Sequence, residues 1–471
     1  MQTKILFSFS IFLTFITQAY TQTNMTLDDA IEIALKNNHN LKLVKYNKQQ
    51  ADSKVREAFG NALPSLNFSS NYTRALDRQD LYFGDPETLA DGPFGLPAKL
   101  AVSMNELHKA DPNYTPFQFA AAGNDDVIEI GSDNAFNTRF ELTQTLFDYS
   151  VFTGIGSSKR YSMAASEALS DEELNTIKNV KISYFTVLMA KESVGLIKSS
   201  IKNAQTNLND IKLMFKEGLI SEYDLIRTEV QVENLQPELL NAESQLNSSL
   251  NNLNLIIGNK QEDKISVSQN FTDLNISMLI PNIEESKKNI NNNNNQLKSL
   301  DLQMQVQKDF IVLYQSEFFP RLSLFGNYTY LGNANDTKNY VTYTSSEVGV
   351  RMSLNLFNGM QSSERIEQAE IDYMKVETQK SMLKSSLMNQ AENIINRMET
   401  AKRKIESTNK TVSQAKRGYD IAKTRYDEGI GSLLEINDAD LAFRQSKLNK
   451  IRADYDFLTA EAELEKLSGK K

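Results

Sequence analysis

The chain has 471 residues with 51 Lys and Arg against 60 Asp and Glu, a net charge of −9, no Cys, no Trp and only two His. No disulfide framework or cysteine metal site can form, His39 and His108 cannot by themselves build a zinc site, and no cofactor is expected. The acidic balance argues against nucleic acid, which is held by basic patches.

The first residues, "MQTKILFSFSIFLTFITQAYTQ", place Lys4 before an apolar run from Ile5 to Ile16 and then small polar residues. That pattern predicts a secretory signal peptide over residues 1–21, too short to span a bilayer. No Cys follows to carry a lipid, and no later stretch approaches the ~20 apolar residues of a membrane helix. The protein is therefore expected to be exported, and any crossing of a membrane must use a β-barrel.

The mature chain reads as two versions of one plan. "NNHNLKLVKYNKQQADSKVREAFGNALPSLNFSSNYT" resembles "NNNNQLKSLDLQMQVQKDFIVLYQSEFFPRLSLFGNYTY", with Leu41 on Leu297 and Pro64 on Pro320, both 256 positions apart. "FELTQTLFD" resembles "VRMSLNLFN", with Phe147 on Phe357, 210 positions apart, and Gly218 matches Gly429 at 211. The fall in offset assigns an insertion to the first copy, within 74–134, where "FGDPETLADGPFGLPAK" reads as a long loop. Each copy orders helix, strand, loop, strand, long helix, glycine turn, helix. The first spans 22–257 and the second 287–471, joined by a linker at 258–286.

In chain order, a helix is expected over about 26–59. Alternation then marks strands: Leu66, Phe68 and Tyr72 oppose Asn67, Ser69, Asn71 and Thr73, and Phe136, Phe140, Leu142 and Leu146 oppose Asn137, Arg139, Glu141 and Thr143. In the second copy Val348, Val350, Met352, Leu354 and Leu356 oppose Arg351, Ser353 and Asn355. Runs of about 10 residues suit tilted membrane strands, and one apolar and one polar face would equally suit a soluble sandwich; the export signal favours the membrane. Stretches 157–216 and 360–427 contain no Pro and almost no Gly, so each predicts one long helix, the second on the order of 100 Å. Leu383, Leu387, Ala391, Ile394, Met398, Ala401 and Ile405 form a narrow stripe for coiled-coil-like packing. "LMFKEGLISEYD" and "TRYDEGIGSLLEIND" then break helices at Gly218 and Gly429, with Ser221 and Ser432 as the caps of the next helices. "NNNNN" at 291–295 reads as a helix start.

Four strands cannot close a barrel, and an open sheet would leave edges in lipid, so a barrel requires 8, 12 or 16 strands from two, three or four chains. The duplicated order, "TLDDAIEIALKNNHNLK", "LPSLNFSSNYT", "FPRLSLFGNYTY", "LFD", "LFNG" and the two glycine turns resemble the TolC family of outer-membrane efflux channels over nearly the whole mature chain. The resemblance implies an α+β membrane protein: a homotrimer with a 12-stranded outer-membrane β-barrel, four strands per chain, continued by a long periplasmic α-helical coiled-coil barrel. It implies a non-enzymatic channel-tunnel of a tripartite efflux or type I secretion system, partnered by a periplasmic adaptor (membrane fusion) protein and an inner-membrane pump. It places Gly218, Leu219, Gly429 and Ile430 in adaptor-docking turns, Glu435 and Asp438 at the pore constriction, and Asp224 with Tyr426 in a latch that closes the tip. The family's arginine in that latch is replaced here by Gly431, and Tyr149 and Ser150 follow "LFD" where many relatives carry glycines. The alternative is an exported coiled-coil surface or adhesin protein with no transport role, which would explain the helices but not two matching sets of strands.

Overall fold

The structure is a computed structural model that describes residues 23–77, 79–82, 127–130, 132–260, 264–274 and 278–470. The signal-peptide reading and most of the long insertion lie outside them. The described residues of Met1–Arg56, Gly154–Val312 and Ser363–Lys471 form a helical unit, and those of Glu57–Thr153 and Leu313–Ser362 form a second unit built on a sheet.

The sheet unit contains β2 (Ser65–Arg74), β5 (Asn134–Phe147), β7 (Arg321–Ala334) and β8 (Val341–Ser353), paired antiparallel in the order β2-β5-β7-β8. The register carries the alternation across all four strands. Phe68 pairs with Phe140, Phe140 with Tyr328 and Tyr328 with Ser346, while Leu324 faces Val350 and Leu322 faces Met352 on the same side. The rings of Phe68 and Phe140 lie 4.9 Å apart. The opposite side carries the rows Asn67, Glu141, Asn327, Glu347 and Ser69, Arg139, Thr329, Ser345. Leu331, Tyr343 and Val341 interrupt this polar side, and so does Phe325. It lies against Gly349, where a Cβ would come within 2.9 Å of the ring, and the Arg351 guanidinium stacks on it at 4.8 Å.

Three details of the strands differ from the alternation read in the sequence. A bulge between Thr145 and Phe147 brings Phe147, rather than Leu146, opposite Leu322. β8 ends at Ser353, so Leu354 and Leu356 lie beyond it. Within the insertion, β3 (Gln79–Tyr82) and β4 (Val127–Ile130) pair as a separate antiparallel ribbon, where the sequence reads as loop. The turn after "LFD" is settled by Asp148, whose Oδ1 accepts from the Ser150 N–H at 2.9 Å and the Ser150 hydroxyl at 2.6 Å, so that helix α3 (Tyr149–Lys216) begins at once. This short polar side chain satisfies an otherwise unpaired first-turn donor and makes glycine unnecessary.

In the helical unit, α3 and α4 (Glu222–Ile257) form one hairpin, and α7 (Gln361–Asp427) and α8 (Leu433–Leu467) the other. The expected stripe is the core of the second. Leu387, Ala391, Ile394, Met398, Ala401 and Ile405 are buried with Phe457, Ala460 and Leu464 of α8, and Leu383 packs at the edge. The expected helix at 26–59 is two helices, α1 (Leu27–Asn37) and α2 (His39–Gly60), and "NNNNN" both ends α5 (Ile283–Asn293) and starts α6 (Asn295–Gln315), with a break at Asn294. α5 itself begins before residue 286, where the sequence reading ends the linker.

Asparagine makes both breaks. The Asn38 carbonyl oxygen accepts from the Leu41 N–H at 2.9 Å while its amide donates to the Ile256 carbonyl at 2.7 Å. Asn294 accepts from the N–H groups of Gln296 and Leu297 at 3.1 and 3.2 Å and donates to the Leu467 carbonyl at 3.1 Å. One side chain thus caps one helix and ties it to the end of another, supplying partners to groups that helix ends leave open. Each of those other ends closes on a left-handed glycine, Gly258 (φ +77°) and Gly469 (φ +71°), pressed against the backbone of Asn37 and Asn293 respectively.

The linker packs on the helical unit. Its strand β6 (Ile265–Val267) pairs in parallel with β1 (Thr23–Met25), and Lys191 of α3 donates to the carbonyls of Val267 and Gln269, each at 3.1 Å. Beneath it, Tyr184 is fully buried, its hydroxyl 3.0 Å from the Met25 carbonyl and 2.9 Å from Oε1 of Gln269. Burial pushes its ionisation up to about 12, so the hydroxyl stays a neutral donor. Among the described residues, no helix is long and apolar enough to cross a membrane.

Candidate functional site: the tips of the helix hairpins

Both hairpins reverse in the same way. Gly218 and Gly429 adopt φ +73° and +75°, the left-handed conformation that ends a helix at least cost when no Cβ is present. Leu219 N–H then donates to the Met214 carbonyl at 3.0 Å, and Ile430 N–H to the Arg425 carbonyl at 2.9 Å. Two residues later Ser221 and Ser432 cap α4 and α8, accepting from the N–H groups of Asp224 and Glu435, each at 3.2 Å. Leu219 and Ile430 stand out from the turns, 74% and 64% exposed.

Below the turns an apolar cluster joins the two hairpins. Ile211 of α3, Ala422 of α7 and Leu433 and Ile436 of α8 are buried, with Ile220, Leu225, Tyr419 and Tyr426 packed against them. Burial, reinforced by Asp210, Asp224 and Asp427, raises the pKa of Tyr426. Its hydroxyl points at the Met214 sulfur, 4.0 Å away, while the Asp224 carboxylate accepts from the Ser221 hydroxyl at 2.7 Å. Within one chain, then, the Tyr426 hydroxyl and the Asp224 carboxylate have separate partners.

Glu435 and Asp438 lie three residues apart on α8, both exposed, with Ile436 between them turned into the cluster. Their surroundings differ. Arg425 places Nε 3.5 Å from Oε2 of Glu435, whereas Asp438 has no cation partner among the described residues. Just beyond, Asp440 and Arg444 form a largely covered pair at 3.0 Å, and Arg444 also reaches Glu238 of α4 at 3.6 Å, bracing one hairpin on the other. Burial raises the Asp440 pKa against the lowering pull of Arg444. The i, i+4 spacing of Asp440 and Arg444 could have been read from the sequence. No spacing rule announces Arg425 and Glu435, which meet only because the turn folds between them.

The chain thus combines a four-stranded antiparallel sheet, one side richer in apolar residues than the other, with two hairpins of helices 35 to 68 residues long. The sequence profile of the outer membrane efflux protein family matches residues 30–259 and 288–470, and the chain belongs to that family. It is 21% identical over 333 residues to the outer membrane protein TolC of Vibrio cholerae, covering 70% of this chain and 75% of that protein. It is 20% identical over 339 residues to the alkaline protease secretion protein AprF of Pseudomonas aeruginosa, covering 71% and 70%. Its fold is similar to the CmeC outer membrane channel of Campylobacter jejuni, with a TM-score of 0.71 at 18% identity over 94% of this chain and 85% of that one. The protein is an outer-membrane transport channel, and the adhesin reading has no support.

Proposed function

We propose that three copies close a 12-stranded barrel through the outer membrane, continued by a periplasmic helical tunnel. The assembly serves a tripartite efflux or type I secretion system. The tips at Gly218, Leu219, Gly429 and Ile430 dock on a periplasmic adaptor protein, which joins the tunnel to an inner-membrane pump. The observation that carries this reading is the sheet: four antiparallel strands, one face that gathers Leu66, Phe68, Phe140, Leu142, Tyr328 and Val348, and outer edges on β2 and β8 with no partner strand among the described residues. Lipid offers such edges no hydrogen bonds. Because the number of strands is even, β8 of one copy runs antiparallel to β2 of the next, so copies can join in a closed ring.

The chain has no native Cys, which makes the closure directly testable. Ser69→Cys in β2, combined in turn with single Cys substitutions along β8 from Val341 to Ser353, is expected to give an oxidised ladder ending at a covalent trimer. Absence of any cross-link, or a ladder that continues past three, sinks the closure.

Glu435 and Asp438 are proposed to line the pore constriction at the tip, and Asp224 with Tyr426 to form the latch when tips of neighbouring chains meet. Carboxylates in a ring attract multivalent cations. Replacing both Glu435 and Asp438 by Ala should abolish block of single channels by lanthanum in planar bilayers, with trimers intact. Wild-type block in this double variant would remove both residues from the pore.

A further inference from the structure

The two turns share the left-handed glycine, the backbone bond that follows it and the serine cap, and they differ in the residue four positions before the glycine. Met214 and Arg425 hold the same place, each accepting through its carbonyl from the residue after the left-handed glycine. Met214 is a neutral side chain, its sulfur 4.0 Å from the Tyr426 hydroxyl. Arg425 instead turns its guanidinium across its own turn. Nη2 donates to the Ile430 carbonyl at 3.4 Å and Nε lies 3.5 Å from Glu435. Gly431 makes the crossing possible. A Cβ there would sit 2.9 Å from the Tyr426 nitrogen and 3.0 Å from the Arg425 Cβ. The Gly431 N–H donates to the same Arg425 carbonyl at 2.9 Å, so the backbone holds the residue in place.

We infer that Arg425 sets the charge of the aperture: it cancels Glu435 within each chain and leaves Asp438 as the carboxylate that a passing cation meets. This rests on the reading that both acids line the pore. Arg425 and Glu435 are each about half exposed, and such pairs add little to stability. The pair's consequence is therefore electrostatic. Three copies without Arg425 would add three uncompensated carboxylates near the axis, beside three of Asp438.

The test is lanthanum block of the full-length channel in planar bilayers. Arg425→Met installs the residue of the other turn and should tighten block about tenfold, the attraction of three freed charges at roughly 8 Å in salt water. Glu435→Gln should weaken block by leaving Arg425 uncovered. The double variant Arg425→Met with Glu435→Gln should return close to wild type, since each chain again presents Asp438 alone, and the two changes should therefore be coupled. Asp438→Asn should abolish block, and Arg425→Lys should preserve it. If Arg425→Met does not assemble, Arg425→Gln keeps a donor for the Ile430 carbonyl and carries the same expectation. Should Arg425→Met leave block unchanged while Asp438→Asn abolishes it, the constriction stands and the role of Arg425 falls. Should no variant alter block, the constriction itself is lost, and this inference with it.

Discussion

Channels with Arg in place of Phe140 are expected to fail to insert as trimers. Phe140 sits near the middle of β5 on the apolar face, paired in register with Phe68 on one side and Tyr328 on the other. In the proposed barrel that face meets lipid, where an Arg at mid-depth costs about 2–4 kcal/mol. Three copies enter each assembly, so the cost is repeated three times. Ser345→Arg is the matched control. It lies on the polar face, in the row that already holds Arg139. It should leave the trimer intact and change only conductance and ion preference. The measurement is the fraction of heat-modifiable trimer recovered after reconstitution into liposomes. Equal trimer yields for the two variants, or a loss confined to Ser345→Arg, would overturn the assignment of the faces.

The second large effect falls on glycine. Gly218, Gly258, Gly429 and Gly469 all have φ between +71° and +77°, yet substitution should separate them into two pairs. At Gly218 and Gly429 nothing lies within 4 Å of an added Cβ, so Ala carries only the left-handed penalty, about 1–2 kcal/mol. At Gly258 the Cβ would come within 2.5 Å of the Asn37 carbonyl oxygen, and at Gly469 within 2.8 Å of that of Asn293. Backbone must move at both, in the region where Asn38 and Asn294 tie the helix breaks to the ends of α4 and α8. Gly258→Ala and Gly469→Ala are therefore expected to cost about 3 kcal/mol or more each, the conformational penalty with a backbone clash added. Thermal unfolding of the detergent-solubilised protein should show both melting well below Gly218→Ala and Gly429→Ala. Four equal shifts would show that the contact relaxes at no cost.

Much of this architecture is visible in the sequence because it is periodic. Alternation over runs of 8 to 13 positions points to β2, β5 and β8, and the stripe from Leu383 to Ile405 to the buried side of α7. Apart from the β3–β4 ribbon, the misses are single residues that act against the local pattern. Asn38 and Asn294 interrupt helices because each has a carbonyl from a distant helix end to bind, and nothing nearby in sequence records that partner. The bulge at 145–147 exchanges the roles of Leu146 and Phe147, two apolar residues that alternation cannot tell apart once the register slips. At the tip, the turns, their left-handed glycines and the serine caps follow from residue type alone. Arg425 does not, because its contact with Glu435 spans ten positions and needs the turn, the empty Gly431 position and the start of α8 together.

The strand order also separates what can change from what cannot. The chain enters β2 from a helix and leaves β5 into one, and does the same at β7 and β8, so antiparallel pairing gathers all four helical connections at one end of the sheet. The other end carries only the connections 75–133 and 335–340. Lengthening a connection from the second size to the first adds only about 2 kcal/mol of closure entropy, because that term grows with the logarithm of length. Neither connection contains a helix cap or a tip residue, so insertions there are expected to leave those intact. It is the place where an epitope, a receptor-binding loop or an affinity tag can be grafted without disturbing transport.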